Sequence, residues 1–169
     1  ANSIAMIFVM FVIGLNQGMQ PIAGYNYGAQ QYDRMMRVVK LSIITAVCIM
    51  LTGWSLAMFA PYHCARMFTT DPELIKGSIK AIHIIMMMFP LIGSQMVITN
   101  FFQCIGKVKI SIFLSLSRQL LFLLPLLAIL PNFYGINGVW ASMPTSDFIA
   151  VVVAVTIMLV FLRRFKKER

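Results

Sequence analysis

The stretch GMQPIAGYNYGAQ, residues 18–30, closes an apolar run that carries no charge from residue 1 to residue 32. Gly18, Pro21, Gly24 and Gly28 interrupt what otherwise reads as one long helix, and Gln20, Tyr25, Asn26 and Tyr27 accompany the break. The fold turns on what surrounds that helix. Of the 169 residues, 60% are hydrophobic and 11% charged, and the mean hydropathy is +0.85. An ordinary soluble domain is about a quarter charged. A core built from a chain of this length cannot hide so much apolar surface, so lipid is the solvent.

Charge-free runs of membrane length recur. Residues 41–65 and 81–106 hold no Asp, Glu, Lys or Arg, and between 110 and 162 only Arg118 and Asp147 are charged. A bilayer core of about 30 Å needs roughly 20 apolar residues per helix. The last run is too long for one span, and PNFYGING (131–138) reads as a turn within it. The expectation is an all-α integral membrane chain with spans at about 2–26, 39–60, 79–103, 108–130 and 137–162. Helices buried in a large soluble protein would not be so long or so numerous. A membrane barrel needs alternating segments of about ten residues, and these runs are continuous.

Lys and Arg of short loops mark the cytoplasmic side. Arg34, Arg37, Lys40, Lys107, Lys109, Arg163, Arg164, Lys166, Lys167 and Arg169 fall on one set of loops and ends. The other set has Arg66, Lys76 and Lys80 beside Asp71 and Glu73. The basic tail 163–169 is therefore expected inside, in a plasma membrane of bacterial cytoplasmic type. The net charge of +9 follows from this asymmetry, with attraction to anionic lipid heads, and calls for no nucleic acid. The chain starts with Ala1 in an apolar run that lacks the flanks of a signal peptide, so helices are expected to precede it.

Cys48, Cys64, Cys104, His63 and His83 show no metal or redox spacing, and no nucleophile sits in a catalytic setting. Neither an enzyme nor a resident cofactor or metal is expected. The polar residues inside the spans carry more information. Asn16 and Gln20 share a helix face, Gln95 and Thr99 share another, and Asn100 and Gln103 lie close by. Arg118 and Asp147 are costly at membrane depth. At about 1.5 Å per residue each falls near the midplane of adjacent antiparallel helices. They are expected to pair, directly or through water. The alternative is that Arg118 snorkels while Asp147 bonds nearby hydroxyls. For the amides, interhelical glue and a polar cavity both stay open. Asn16, Gln20, Gln95, Asn100, Arg118 and Asp147 are the substrate or ion cavity candidates. Pro21, Pro90, Pro125 and Pro144 are the helix-bending candidates, and Met19, Phe101, Phe102, Phe122 and Met143 the candidate apolar lining.

GLNQGMQPIAGYNYGAQQYDRMMR (14–37) resembles the eighth-helix signature of the multidrug and toxic compound extrusion (MATE) family. In the right order, TTDPELIKGS (69–78), FFQCIGKVKISIFLSLSRQLLFLLPLLAILP (101–131) and FYGINGVWASMPTSD (133–147) are similar to later parts of that family. The resemblance implies a fold of twelve helices in two lobes, with this chain as helices eight to twelve of the C-terminal lobe. Helix seven and the N-terminal lobe would be its missing partners. It implies cation-coupled (Na⁺ or H⁺) multidrug efflux of lipophilic or cationic compounds by alternating access. The expected tenth helix lacks Asp and Glu, which leaves the ion unassigned and Asp147 the one intramembrane acid. A lipid-linked oligosaccharide flippase of the same superfamily is the alternative, and a non-transporting membrane assembly subunit is another.

Overall fold

In lipid every backbone N–H and C=O must be satisfied within its own segment or closed sheet. This chain meets that demand with helices. The structure, a computed structural model, describes residues 2–67 and 69–167. The elements are α1 (Asn2–Gly28), α2 (Tyr32–Phe59), α3 (Pro61–Arg66), α4 (Pro72–Ile85), a 3₁₀ turn (Met86–Met88), α5 (Phe89–Cys104), α6 (Val108–Leu116), a π-helical segment (Ser117–Leu123), α7 (Leu124–Tyr134) and α8 (Ile136–Lys167). Among the described residues, five stretches are long and apolar enough to cross a membrane: Met6–Gly28, Tyr32–Phe59, Pro72–Cys104, Val108–Tyr134 and Ile136–Lys167. All five expected spans are present, with displaced ends. The basic tail continues α8 as far as Lys167, and Arg169 lies outside the described residues.

The displacements have local causes. The helix of the third stretch begins at Pro72, ahead of the expected span. Asp71 caps it, with Oδ1 accepting the Glu73 N–H at 3.0 Å and Pro72 at the first helical position. PNFYGING is not one turn: Pro131 lies inside α7, and the reversal is confined to Gly135 (φ +62°), whose N–H donates to the Pro131 carbonyl at 2.9 Å. Gly138 then lets α8 leave close by, because a Cβ there would collide with the Leu130 carbonyl.

The opening stretch also departs from expectation. GYNYG stays helical to Gly28, and a Cβ at Gly14, Gly18 or Gly28 would meet open space. Of these α1 glycines, Gly24 alone faces a neighbour closely: a Cβ there would lie 3.4 Å from the Cys104 carbonyl oxygen. The chain reverses at Gln30 (φ +57°), with Gln31 N–H donating to Asn26 carbonyl at 2.9 Å and Gln30 N–H to Tyr27 carbonyl at 3.1 Å. That bond pair is the Schellman motif, where glycine is usual at the left-handed residue. Gly106 (φ +82°) fills the equivalent position after α5, with Lys107 N–H donating to Phe102 carbonyl at 2.9 Å.

Packing follows small residues. On α2, Met35, Val39, Ser42, Ala46, Met50, Gly53 and Ala57 are buried. Their spacing is three or four throughout, which draws one seam along the helix. That seam meets α1 and α5. A Cβ at Gly53 would lie 2.8 Å from the Phe8 ring, and one at Gly93 would lie 3.0 Å from the Ala46 carbonyl oxygen. Backbones that approach this closely are how membrane helices gain dispersion contact without a hydrophobic drive. α8 packs on α5, α7 and the π segment. The ends of α1, α5 and α8 and the starts of α2 and α6 gather at one end of the bundle. Most Lys and Arg lie there, and it is termed the basic end.

Candidate functional site

Arg118 and Asp147 meet. Arg118 Nε donates to Asp147 Oδ1 at 2.7 Å, with the side chains 34% and 8% exposed. Their depths explain why. Arg118 is ten residues into the fourth span from Val108, and Asp147 eleven into the fifth from Ile136. At 1.5 Å per residue both sit about 15 Å from opposite ends. The snorkelling alternative is excluded, and so is hydroxyl bonding of Asp147 by its neighbours. Ser146 and Thr145 instead donate to the Met143 and Ala141 carbonyls of their own helix.

The backbone around the pair is unusual. Within the π segment Arg118 and Gln119 precede Pro125, and the Leu124 N–H donates to Gln119 carbonyl, five residues back. A proline ring crowds the carbonyl four residues before it and brings no N–H. The wider π turn accommodates that loss just ahead of Pro125. A lone π turn inside an α-helix often marks a functional position. Pro90 behaves similarly, following the 3₁₀ turn Met86–Met88. Pro21 and Pro144 lie within unbroken α-helix. Two of the four bending candidates therefore accompany a change of helix type, and two do not.

A cavity of about 400 Å³ opens at the pair. Arg118, Gln119, Ser146 and Asp147 supply its polar side, and Val9, Phe89, Ile92, Met96, Leu123 and Met143 its apolar side. Among the described residues, Asp147 Oδ2 and the guanidinium Nη atoms have no hydrogen-bond partner. Ionic and donor groups thus remain beside an apolar wall. Met143 lines this cavity as expected. Met19, Phe101 and Phe102 do not: they are 2%, 0% and 0% exposed in the packed core. Val9, Phe89, Ile92 and Met96 line it without any signal in the sequence, because nothing in an apolar helix says which face meets a gap.

The four amides do not line that cavity. Gln20 Nε2 donates to Asn100 Oδ1 at 2.8 Å, and Asn100 Nδ2 donates to the Met96 carbonyl. Gln20–Asn100 is thus an α1–α5 tie. Asn16 and Gln95 are buried, and Asn16 Oδ1, Asn16 Nδ2 and Gln95 Oε1 have no partner among the described residues. The Gln20–Asn100 bond and the Gly24–Cys104 approach share one register between α1 and α5. That register sets Asn16 level with Met96, beside Gln95. Asn16 lies two turns below Val9 on one face of α1, about 10 Å from the cavity wall. In the opening stretch, Tyr25 is exposed and the Asn26 side chain donates to the Ile22 carbonyl.

The family model described as MatE matches residues 1–129. The chain belongs to the MatE family. Proteins of this family are transporters that cross the membrane several times, in keeping with the five apolar helices. This MatE chain is 40% identical to the MATE multidrug transporter DinF-BH. The match covers 92% of this chain and 35% of that one, with a TM-score of 0.86. It shares the fold of a multidrug resistance MATE family transporter of the MOP superfamily in its inward-facing conformation, at 20% identity and a TM-score of 0.89 over 98% of this chain and 39% of the other. It is 21% identical over 149 residues to the multidrug export protein MepA of Staphylococcus haemolyticus (strain JCSC1435), covering 88% of this chain and 32% of that protein. The chain therefore spans about a third of the length of these relatives.

Proposed function

We propose that this chain forms helices eight to twelve of a twelve-helix exporter, in the C-terminal lobe. The whole protein would be a multidrug antiporter. It would expel lipophilic or cationic compounds in exchange for Na⁺ or H⁺ as its lobes alternate between inward and outward openings. The basic end would be cytoplasmic, by the bias of Lys and Arg in short loops. The observation that carries the reading is the 2.7 Å Arg118–Asp147 pair at membrane depth, beside a cavity of about 400 Å³ with mostly apolar walls. The names of the relatives support the same class.

The mechanism follows from the chemistry of that cavity. Asp147 attracts a cation, while Arg118 balances the carboxylate when the cavity holds none. A lipophilic cation would compete with the guanidinium for the carboxylate. Its apolar body would lie against Met96, Met143 and Phe89, which supply adaptable thioethers and an aromatic ring. Few fixed polar groups means little to reject one shape over another. Charge is exchanged at one carboxylate, so each turnover leaves the site no more costly than before.

The test is accumulation of ethidium, a lipophilic cation, in cells carrying the full-length protein. Asp147→Asn is expected to raise accumulation to within about twofold of cells lacking the protein, since the charge that selects a cation is gone. Collapsing the Na⁺ or the proton gradient separately identifies the driving ion. Undiminished efflux by a correctly inserted Asp147→Asn protein would remove this cavity from the transport path.

A further inference from the structure

Aromatic rings from four helices meet at the basic end. Tyr32 meets Phe165 edge-on with ring centroids 4.2 Å apart, Phe165 lies 5.4 Å from Phe161, and Phe161 lies 5.4 Å from Phe102. Tyr27 joins them 6.0 Å from Tyr32. Over this cluster lies a cation: Lys107 Nζ is 5.5 Å from the centroid of the Phe161 ring. A cation–π contact holds an ammonium in place without neutralising it.

A cavity of about 410 Å³ opens at the same place, between the ends of α1 and α8 and the start of α6. Lys107 and Arg164 both line it, no acidic residue does, and neither cation forms an ion pair among the described residues. Its other walls change character with depth. Tyr27, Phe161 and Phe165 flank the charges, while Ile110, Ile157 and Val160 lie deeper in the spans. On α8, Val160 and Ile157 are four and seven residues inward of Arg164. That distance is about 6–10 Å along the helix. The cavity is cationic at its rim and mostly hydrocarbon-like below, where Thr156 also lines it with its hydroxyl donated to the Val152 carbonyl of its own helix.

We infer that this cavity binds an anionic phospholipid, with the phosphate between Lys107 and Arg164 and an acyl chain along Ile110, Ile157 and Val160. Two unneutralised cations on separate elements suit a phosphate that bridges them, and basic pockets between membrane helices hold lipid head groups in this way. A lipophilic cation would be repelled by both charges. A soluble phosphate would leave the apolar depth without an occupant. The inference rests on the membrane reading of the spans and not on the transport reading, so the two fail separately.

The test uses the full-length protein in detergent, with phosphatidylglycerol as the probe and phosphatidylcholine and inorganic phosphate as comparisons. Lys107→Gln with Arg164→Gln removes both rim charges. Lys166→Gln with Lys167→Gln removes equal charge from residues outside the cavity. Bound lipid is counted by native mass spectrometry. The rim pair is expected to weaken phosphatidylglycerol binding roughly tenfold, the tail pair less than about twofold, and phosphatidylcholine binding not at all. Equal weakening by the two pairs would overturn the site, since the effect would then be the field of the whole basic end. Displacement of phosphatidylglycerol by inorganic phosphate alone would overturn the lipid as ligand. Loss of thermal stability by the rim pair without any lipid would mean that another protein segment fills the cavity, which would also overturn it.

Discussion

Two seams hold this bundle, and they differ in kind. Between α1, α2 and α5 the backbones touch: Gly53 and Gly93 leave no room for a Cβ, and the buried stripe of α2 runs unbroken from Met35 to Ala57. Between the π segment and α8 the contact is an ion pair, with a cavity of about 400 Å³ beside it. The first seam is mostly shape, crossed by the Gln20–Asn100 hydrogen bond and otherwise supported by dispersion. The second hangs on one charge-assisted bond and leaves polar atoms without partners. A region that must admit a ligand cannot also be packed to crystal density. Under the proposed function, the contrast would separate scaffold from site.

The largest effect should come from disrupting the open seam. Asp147→Asn leaves Arg118 unpaired at membrane depth and is expected to cost about 3 kcal/mol, below the upper range for buried pairs because Arg118 is one-third exposed. Thermal unfolding of the purified full-length protein reads it. The exchange Arg118→Asp with Asp147→Arg should recover most of that loss, and no recovery would refute a direct pair. In the tight seam, Gly93→Leu meets the Ala46 backbone and is expected to cost about 2–3 kcal/mol. Gly18→Leu, facing open space, should change unfolding by less than about 0.5 kcal/mol. Equal effects at the two glycines would dissolve the distinction between packed and unpacked faces.

Asn16 probes the scaffold from inside. Both its side-chain polar atoms are buried without a partner among the described residues. If the α1–α5 interface is as dry as its packing, Asn16→Leu should stabilise by about 1–2 kcal/mol in the same unfolding measurement. Destabilisation would show that Asn16 meets a polar group contributed from beyond this chain. A smaller effect than at Asn16 is expected from the turns at the basic end. Gln30→Gly relieves a left-handed residue that the α5–α6 turn already gives to Gly106, and should add about 0.5–1 kcal/mol to stability.

The sequence made some of this legible for definite reasons. A charge at membrane depth has few places to go, so counting residues from the helix ends was enough to bring Arg118 to Asp147. Asp71-Pro72-Glu73 carried a helix start that a hydropathy reading passed over, because the cap lies outside the apolar run. The four amides were legible as polar but not as partners. Gln20 bonds Asn100 while Asn16 bonds nothing among the described residues, and only the register of α1 on α5 distinguishes them. The aromatic cluster was hidden for the same reason, since its rings come from four separated helices.

Composition and the order of charges were sufficient for five spans, their alternation and the distinct character of one end. These properties come from transfer between water and lipid, which acts residue by residue along the chain. Which amides stay unpaired, where the π turn falls, and which apolar faces border a gap instead of a neighbour depended on how the helices rotate and settle against one another. Those outcomes arise from contacts between residues far apart in the chain, and no local pattern encodes a rotation.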